Sequence, residues 1–444
     1  MKLSAPPHPP PSLRYVVWYY ASDYDTSHRS SAGETYYLVF DWLPDGSHDL
    51  AVTRYVGDFY AISPLKLGDV FVVSPLGATR GAVYAQTCSG AYTNFDQVQH
   101  ECRVDSSDAA RGYPLLTFEY VVSEAYGDYS VLADSDAGLA SSWADTYGAT
   151  TAVRYVGDAI VRWEWDGNAT TLDDGYGAAP STLYDLFDYF DPYGTKDYAL
   201  SALSTLEIAC DGGAATDGID YHHGSSINVG VADNYVVTLR NLNTVASFYR
   251  NGSGLQWTLS PTLTGYSDFA FADSQAMFYD PHDVTQLSAT HLMLVDDGNT
   301  RANCSMSTGD GCFSRALELN LDFTSGVASV VWQFSYPDSA SADGASWSEE
   351  EAADDFNVDG GSVEKVSGGT DDDGDGHYLV AFTKIGVAAD DDVGRRCEVF
   401  EVDTDGAEVG RMVLPLLPSC CDNAGHYRAL SATTVYGESS DSPF

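Results

Sequence analysis

Basic residues are scarce in this chain: Lys and Arg together number 21 against 65 Asp and Glu, a formal net charge of −44. A phosphate backbone would be repelled by such a protein, which excludes nucleic acid as a partner. No run of about 18 uninterrupted apolar residues occurs, so no membrane span is expected. No Cys-x-x-Cys pair occurs among the 8 cysteines, which argues against a zinc site. Methionine is rare and no secretory signal is visible; the Pro-rich start, residues 1–12, reads as a disordered lead.

What is abundant points to strands and turns. Tyr numbers 30 and Gly 41, and apolar residues make up 44%, enough for a true core. From Leu13 onward, short apolar or alternating runs are broken by turn signals. Examples are Tyr36–Trp42 before Pro44-Asp45-Gly46, Asp69–Val73, Leu115–Val122, and Ala159–Trp165 before Asp166-Gly167-Asn168. The pattern continues with Tyr235–Leu239, Leu292–Val295, Val327–Phe334, Tyr378–Thr383 and Glu398–Val402. Without long helical periodicity, such spacing predicts an all-β protein.

Weak self-similarity adds an architecture. Arg54-Tyr55-Val56-Gly57-Asp58 recurs as Arg154-Tyr155-Val156-Gly157-Asp158, and strand-ending tryptophans recur at Trp163/Trp165, Trp257 and Trp332. Long-period repeats of strands suggest a six-bladed β-propeller with long loops over residues 13–444; a large β-sandwich is the alternative. Ser181–Phe190 reads as a short helix or lid loop, and residues 338–356 as an acidic inserted loop.

The cysteines and sequons lean towards an extracellular, secreted protein. Cys304 and Cys312 flank a short polar loop and are predicted to bridge; Cys88 with Cys102, and Cys397 with Cys420 or Cys421, are further pairings. Asn168, Asn251 and Asn303 head Asn-x-Ser/Thr sequons, so a glycoprotein is expected. Asp371, Asp373 and Asp375 have the spacing of a calcium loop, but Phe382 stands where an EF-hand has Glu, and a solvated hairpin tip is the simpler reading. No other cofactor is expected.

The stretch from Phe278 to Arg301 stands out. His282-Asp283 precedes the short strand Leu292–Val295, which ends in Asp296-Asp297-Gly298-Asn299, a turn of the kind that closes hairpins. His100, beside Glu101, His223 and Arg240 likewise fall at predicted strand ends, and a propeller would bring such ends to one mouth. His and Arg together there would form a cationic pocket suited to a sulfate or phosphate group.

These blocks, in this order, resemble the arylsulfotransferase family. His223-Gly224-Ser225-Ser226-Ile227 followed by a strand and Arg240 is similar to its His-x-Asn-Ser-Ile and Ser-Ser-Arg blocks. Gly254–Leu259 resembles its Gly-x-Ile-x-Trp-x-Leu, His282-Asp283 with Val295–Arg301 its His-Asp and Asp-Asn-Gly-x-x-Arg blocks, and Gly361-Ser362-Val363 and His426–Ala429 later ones. Ser225 stands where the family has Asn, Thr238-Leu239 where it has Ser-Ser, and Glu101 where it favours Asp. The resemblance implies a six-bladed propeller that moves a sulfuryl group from a small aryl sulfate donor to a phenol acceptor. It implies His282 as the transiently sulfurylated nucleophile, His223, Arg240 and His100 as its catalytic partners, and His222, Arg301 and Ser362 as substrate-binding residues. A non-catalytic secreted binding or matrix propeller and an aryl sulfate hydrolase are the rival expectations.

Overall fold

A computed structural model describes residues 14–17, 35–42, 50–56, 65–73, 79–83, 98–105, 115–122, 155–163, 181–192, 205–209, 216–304, 311–336, 360–366, 376–385, 396–414 and 429–432. Among them the chain is all-β. In order, β1 (Arg14–Val17) is followed by β2 (Thr35–Trp42), β3 (Leu50–Val56), β4 (Leu65–Val73) and β5 (Thr79–Val83). Next come β6 (Val98–Val104), β7 (Leu115–Val122), β8 (Tyr155–Trp163), β9 (Ser181–Asp185), β10 (Thr205–Ala209) and β11 (Thr216–Asp220). Then follow β12 (Gly224–Val229), β13 (Asn234–Leu239), β14 (Thr244–Tyr249) and β15 (Leu255–Leu259). After these lie β16 (Ala270–Phe271), β17 (Pro281–Gln286), β18 (His291–Asp296), β19 (Arg315–Asp322) and β20 (Val327–Ser335). The last group is β21 (Ser362–Val366), β22 (His377–Ile385), β23 (Arg396–Val402), β24 (Glu408–Leu414) and β25 (Ala429–Ala432).

Three sheets are antiparallel meanders in chain order: β12-β13-β14-β15, β17-β18-β19-β20 with β16 added in parallel at its edge, and β21-β22-β23-β24. The strands β2–β5 and β6–β9 form two further meanders, joined into one sheet because the β10–β11 hairpin pairs in parallel with β4 on one side and β8 on the other. That bridging hairpin was not foreseen from the sequence. β1 pairs with β25, so the first and last described strands share a sheet.

The sequence of each strand follows its cover. β13, Asn-Tyr-Val-Val-Thr-Leu, is a middle strand buried on both faces, and it reads as a continuous apolar run. β20 lies outward in its sheet and its burial rises and falls along its length, with Trp332 and Phe334 turned inward. Between the β6–β9 and β12–β15 sheets lie Phe118, Ile160, Ile227, Tyr235 and Val237. Between the next two sheets lie Val236, Trp257, Phe278, Val284 and Leu294, and beyond them Val295, Trp332, Phe382 and Phe400. One apolar layer per sheet pair is a propeller-like arrangement. Each large side chain so buried contributes roughly 1.5–3 kcal/mol.

Neighbouring sheets are also stitched by polar groups on their first strands. Ser226 Oγ accepts the Val284 N–H at 3.0 Å, Asp283 Oδ2 accepts the Val363 N–H at 3.1 Å, and Ser362 Oγ accepts the Ala429 N–H at 2.8 Å. The same device thus spans three successive junctions, and each bond satisfies a backbone donor that its own sheet leaves open.

Several expectations are corrected here. The pentapeptide repeat is not a structural repeat: its first copy closes β3 and its second opens β8. Trp257 and Trp332 do share a role, in the fourth strands of adjacent meanders, whereas Trp163 ends a third strand. Ser181–Phe190 is a strand followed by a 3-10 turn over Leu186–Asp188. The Asp296–Asn299 turn does not close a tight hairpin, because residues 297–314 separate β18 from β19. The predicted Cys304–Cys312 disulfide is present and closes that loop. Residues 1–12, 338–356, Asn168, Cys88, Cys420, Cys421, His426 and the calcium candidates Asp371, Asp373 and Asp375 lie outside the described residues. Among the described residues, no group of acidic, His or Cys side chains could hold a metal ion, and no helix is long and apolar enough to cross a membrane.

Candidate active site

His282 lies inside β17, not ahead of a strand, and is fully buried. The pairing of β17 with β18 slips between His282 and Thr285, a bulge that turns Asp283 into a left-handed conformation (φ 46°). Bulges re-aim side chains and are common beside active sites. The same irregularity recurs in the first strands of the three preceding meanders, between Tyr37 and Phe40, Val98 and Cys102, and Gly224 and Ser226. His100 falls within the β6 irregularity; its side chain lies outside the described residues.

The ring of His282 is held through one nitrogen. Nδ1 bonds the Asp280 carbonyl at 3.0 Å and lies 2.9 Å from Asp297 Oδ2, itself fully buried. A carbonyl can only accept, so the bond to Asp280 places the proton on Nδ1, and in the neutral ring Nε2 carries the lone pair. Asp280 is fixed in turn: its N–H donates to Asn243 Oδ1 at 2.7 Å, and its Oδ2 accepts from the Thr300 N–H and hydroxyl at 2.8 and 2.7 Å. Asp297 is anchored by the Ser314 hydroxyl on its carbonyl at 2.8 Å.

A second Asp–His pair stands on the next sheet. His223 adopts φ 49° just before β12, and its Nδ1 is bonded to Asp220 Oδ2. About a quarter of its side chain is exposed, against none for His282. Arg240 begins the 3-10 turn Arg240–Leu242, and its N–H donates to the His223 carbonyl at 3.0 Å. Two bonds tie this corner to the His282 corner: the Ser225 hydroxyl to the Pro281 carbonyl at 2.7 Å, and Asn243 to Asp280. The backbones of His223, Arg240 and His282 therefore lie at one end of two adjacent sheets. This end of the sheets thus carries a buried imidazole with its lone pair on Nε2, a partly exposed imidazole oriented by a carboxylate, and a guanidinium.

The remaining candidates are engaged elsewhere. His222 is buried with both nitrogens committed: Nδ1 accepts the Asp158 N–H at 3.1 Å, and Nε2 lies 3.2 Å from the Phe190 carbonyl, to which it donates. Burial pulls its pKa down to about 4, so it stays neutral and serves packing. Arg301 is clamped by Asp296 at 2.6 Å and stacked 3.8 Å over the Phe313 ring. Asp296 also binds the buried Arg315 at 2.8 Å. Ser362 spends its hydroxyl on both the N–H and the carbonyl of Ala429.

Sequence reasoning missed the carboxylates. Asp220 and Asp297 sit in stretches quoted for their histidines, yet neither was assigned a partner. Asp158 was visible at the end of the repeated pentapeptide. It is buried, accepts the Gly224 N–H at 2.7 Å, and is pushed up to about 7 by burial, against the pull of that N–H; Asp220 adds to the rise and His223 opposes it.

No family model and no curated protein matches the chain. Among solved structures, a Bacteroides caccae protein of unknown function is similar at 9% identity and TM-score 0.40, covering 90% of this chain and 88% of that one. The periplasmic gluconolactonase of Pseudomonas aeruginosa is 13% identical at TM-score 0.37, with 91% and 96% covered. Virginiamycin B lyase of Staphylococcus aureus is 8% identical at TM-score 0.33, with 92% and 91% covered. At these scores the likenesses carry no argument about chemistry.

Proposed function

We propose that this chain is a secreted six-bladed β-propeller that transfers a sulfuryl group from an aryl sulfate to a phenol through His282. The first strands β2, β6, β12, β17 and β21 lie each beside the next, and β25, paired with β1, lies beside β21; a sixth blade built on that pair is part of this reading. The Cys304–Cys312 disulfide suits an oxidising exterior.

One observation carries the reading: His282 Nδ1 faces both Asp297 and the Asp280 carbonyl. With the proton on Nδ1, Nε2 is the nucleophile in this reading, as in other orienting Asp–His pairs. Nε2 attacks sulfur as the sulfur–oxygen bond to the aryl group breaks, and His223 gives its proton to the departing phenoxide. Arg240 and His100 hold the sulfuryl oxygens while their charge develops. In the second half the acceptor phenol oxygen attacks sulfur, its proton returns to His223, and His282 leaves as neutral imidazole.

Steady-state transfer between an aryl sulfate and a phenol tests this. Ping-pong kinetics are expected, with loss of transfer in His282→Asn and a fall of roughly 10²–10⁴ in Asp297→Asn. Aryl sulfate cleavage at an undiminished rate without acceptor would make the protein a hydrolase. A non-catalytic binding propeller is favoured by one fact, the complete burial of His282. Equal and slow cleavage by wild type and His282→Asn would establish that reading instead.

A further inference from the structure

The two serines that bind β17 are joined by a third hydroxyl, and the three form one row. Ser225 Oγ lies 2.9 Å and Ser226 Oγ 2.7 Å from Thr238 Oγ1 of β13. The ends of the row meet the backbone of β17. The Ser225 hydroxyl donates to the Pro281 carbonyl at 2.7 Å, and Ser226 Oγ accepts the Val284 N–H at 3.0 Å. All three hydroxyl residues are fully buried. Successive residues of a regular strand face opposite ways, so two neighbouring serines should not reach one threonine. The slip in the pairing of β12 between Gly224 and Ser226 permits it.

The proton directions follow from the two ends. A carbonyl only accepts, so Ser225 spends its single proton on Pro281 and must accept from Thr238. Thr238, its own proton so used, accepts from Ser226, and Ser226 accepts from Val284. Each hydroxyl in the row thus donates once and accepts once, all in one sense, from an amide to a carbonyl of the same strand. Bonds aligned head to tail in this way polarise and strengthen one another. Between the two anchors lie only His282 and Asp283, at the irregularity of β17.

We propose that Thr238 is a positioning residue for His282, its hydroxyl locking the two serines that hold the backbone on either side of the imidazole. The catalytic value of this placement rests on the sulfuryl-transfer reading, in which Nε2 must lie in line with the sulfur–oxygen bond that breaks. The placement itself does not depend on that reading.

Full-length protein labelled with ¹⁵N-His and ¹⁵N-Val, followed by NMR without ligand, tests it. Thr238→Val keeps the shape of the side chain and removes its hydroxyl. The variant should move the His282 ring resonances and speed hydrogen exchange of the Val284 amide by about tenfold, with the circular dichroism unchanged. Thr238→Ser, which restores a hydroxyl, should bring both back. With an aryl sulfate, Thr238→Val should lose about 10- to 100-fold in kcat with KM near that of the wild type. His282 rings and Val284 exchange that superimpose in wild type and Thr238→Val would overturn the proposal. So would failure of Thr238→Ser to recover them. A lower urea midpoint alone, with the His282 ring unmoved, would leave Thr238 a structural residue and also overturn it. If the Val variant fails to fold, neutron diffraction of the wild type decides. The Thr238 deuterium should point to Ser225 and that of Ser226 to Thr238; either one reversed would refute the row. The NMR comparison uses no aryl sulfate, so failure of sulfuryl transfer and failure of this positioning are separately visible.

Discussion

Asp158 and His222 should make opposite contributions to stability against pH, and one substitution should separate them. The unfolded chain releases the Asp158 proton near pH 4, whereas the folded protein keeps it to about pH 7. Between those values Asp158 makes the fold less stable as pH rises, by about 1.4 kcal/mol per pH unit. His222 runs the other way. The unfolded chain binds a proton below about pH 6.5 that the folded protein refuses down to about pH 4, so stability rises with pH by the same slope. Across roughly pH 4.5–6.5 the two nearly cancel. Asp158→Asn keeps an acceptor for the Gly224 N–H and removes the titration, leaving His222 uncompensated. The stability of the variant minus that of the wild type should climb by about 1.4 kcal/mol per pH unit, about 3 kcal/mol across the window. Carboxylates remote from Asp158 titrate alike in both proteins and drop out of the difference. Urea unfolding followed by tryptophan fluorescence at five pH values measures it. A flat difference would refute the burial of a protonated Asp158.

A Cβ at Gly157 would overlap the rings of His222 and Phe187, so Gly157→Ala should cost about 1–3 kcal/mol in urea unfolding. Asp283→Ala removes the acceptor of the Val363 N–H between two sheets and should cost about 1–3 kcal/mol, while Asp283→Asn should recover most of it. Replacing both Cys304 and Cys312 by Ser should lower stability by about 2–3 kcal/mol and leave the far-UV circular dichroism unaltered, because the bridge closes a short loop between strands that pair independently.

The sequence announced the outer and middle strands well. Val327–Phe334 and Tyr378–Thr383 fall within β20 and β22, since strands covered by neighbouring sheets must be apolar or alternating. Of the first strands, β2 was read as Tyr36–Trp42, whereas β6, β12, β17 and β21 were missed or cut short. β17 reads Pro-His-Asp-Val-Thr-Gln, and β6 carries His, Glu and Arg, so neither has an apolar rhythm. Their polar side chains serve the stitches between sheets, as Asp283 and Ser226 do, and a strand buried for polar reasons leaves no hydrophobic period. The histidines were legible because they sit at these strands. Their carboxylate partners were not, because Asp297 reaches His282 from the loop after β18, and Asp158 reaches Gly224 from another sheet. Long-range pairing of this kind is set by the three-dimensional arrangement of the sheets, not by spacing along the chain.

The central claim, a nucleophilic His282, is tested most directly by peptide mass spectrometry. The protein is exposed briefly to an aryl sulfate without acceptor and worked up at alkaline pH to protect the labile N–S bond. The account predicts a sulfuryl adduct on the peptide containing His282, discharged by added phenol and missing from His282→Asn. Full aryl sulfate turnover by His282→Asn, or an adduct that survives phenol or forms on another peptide, would contradict it.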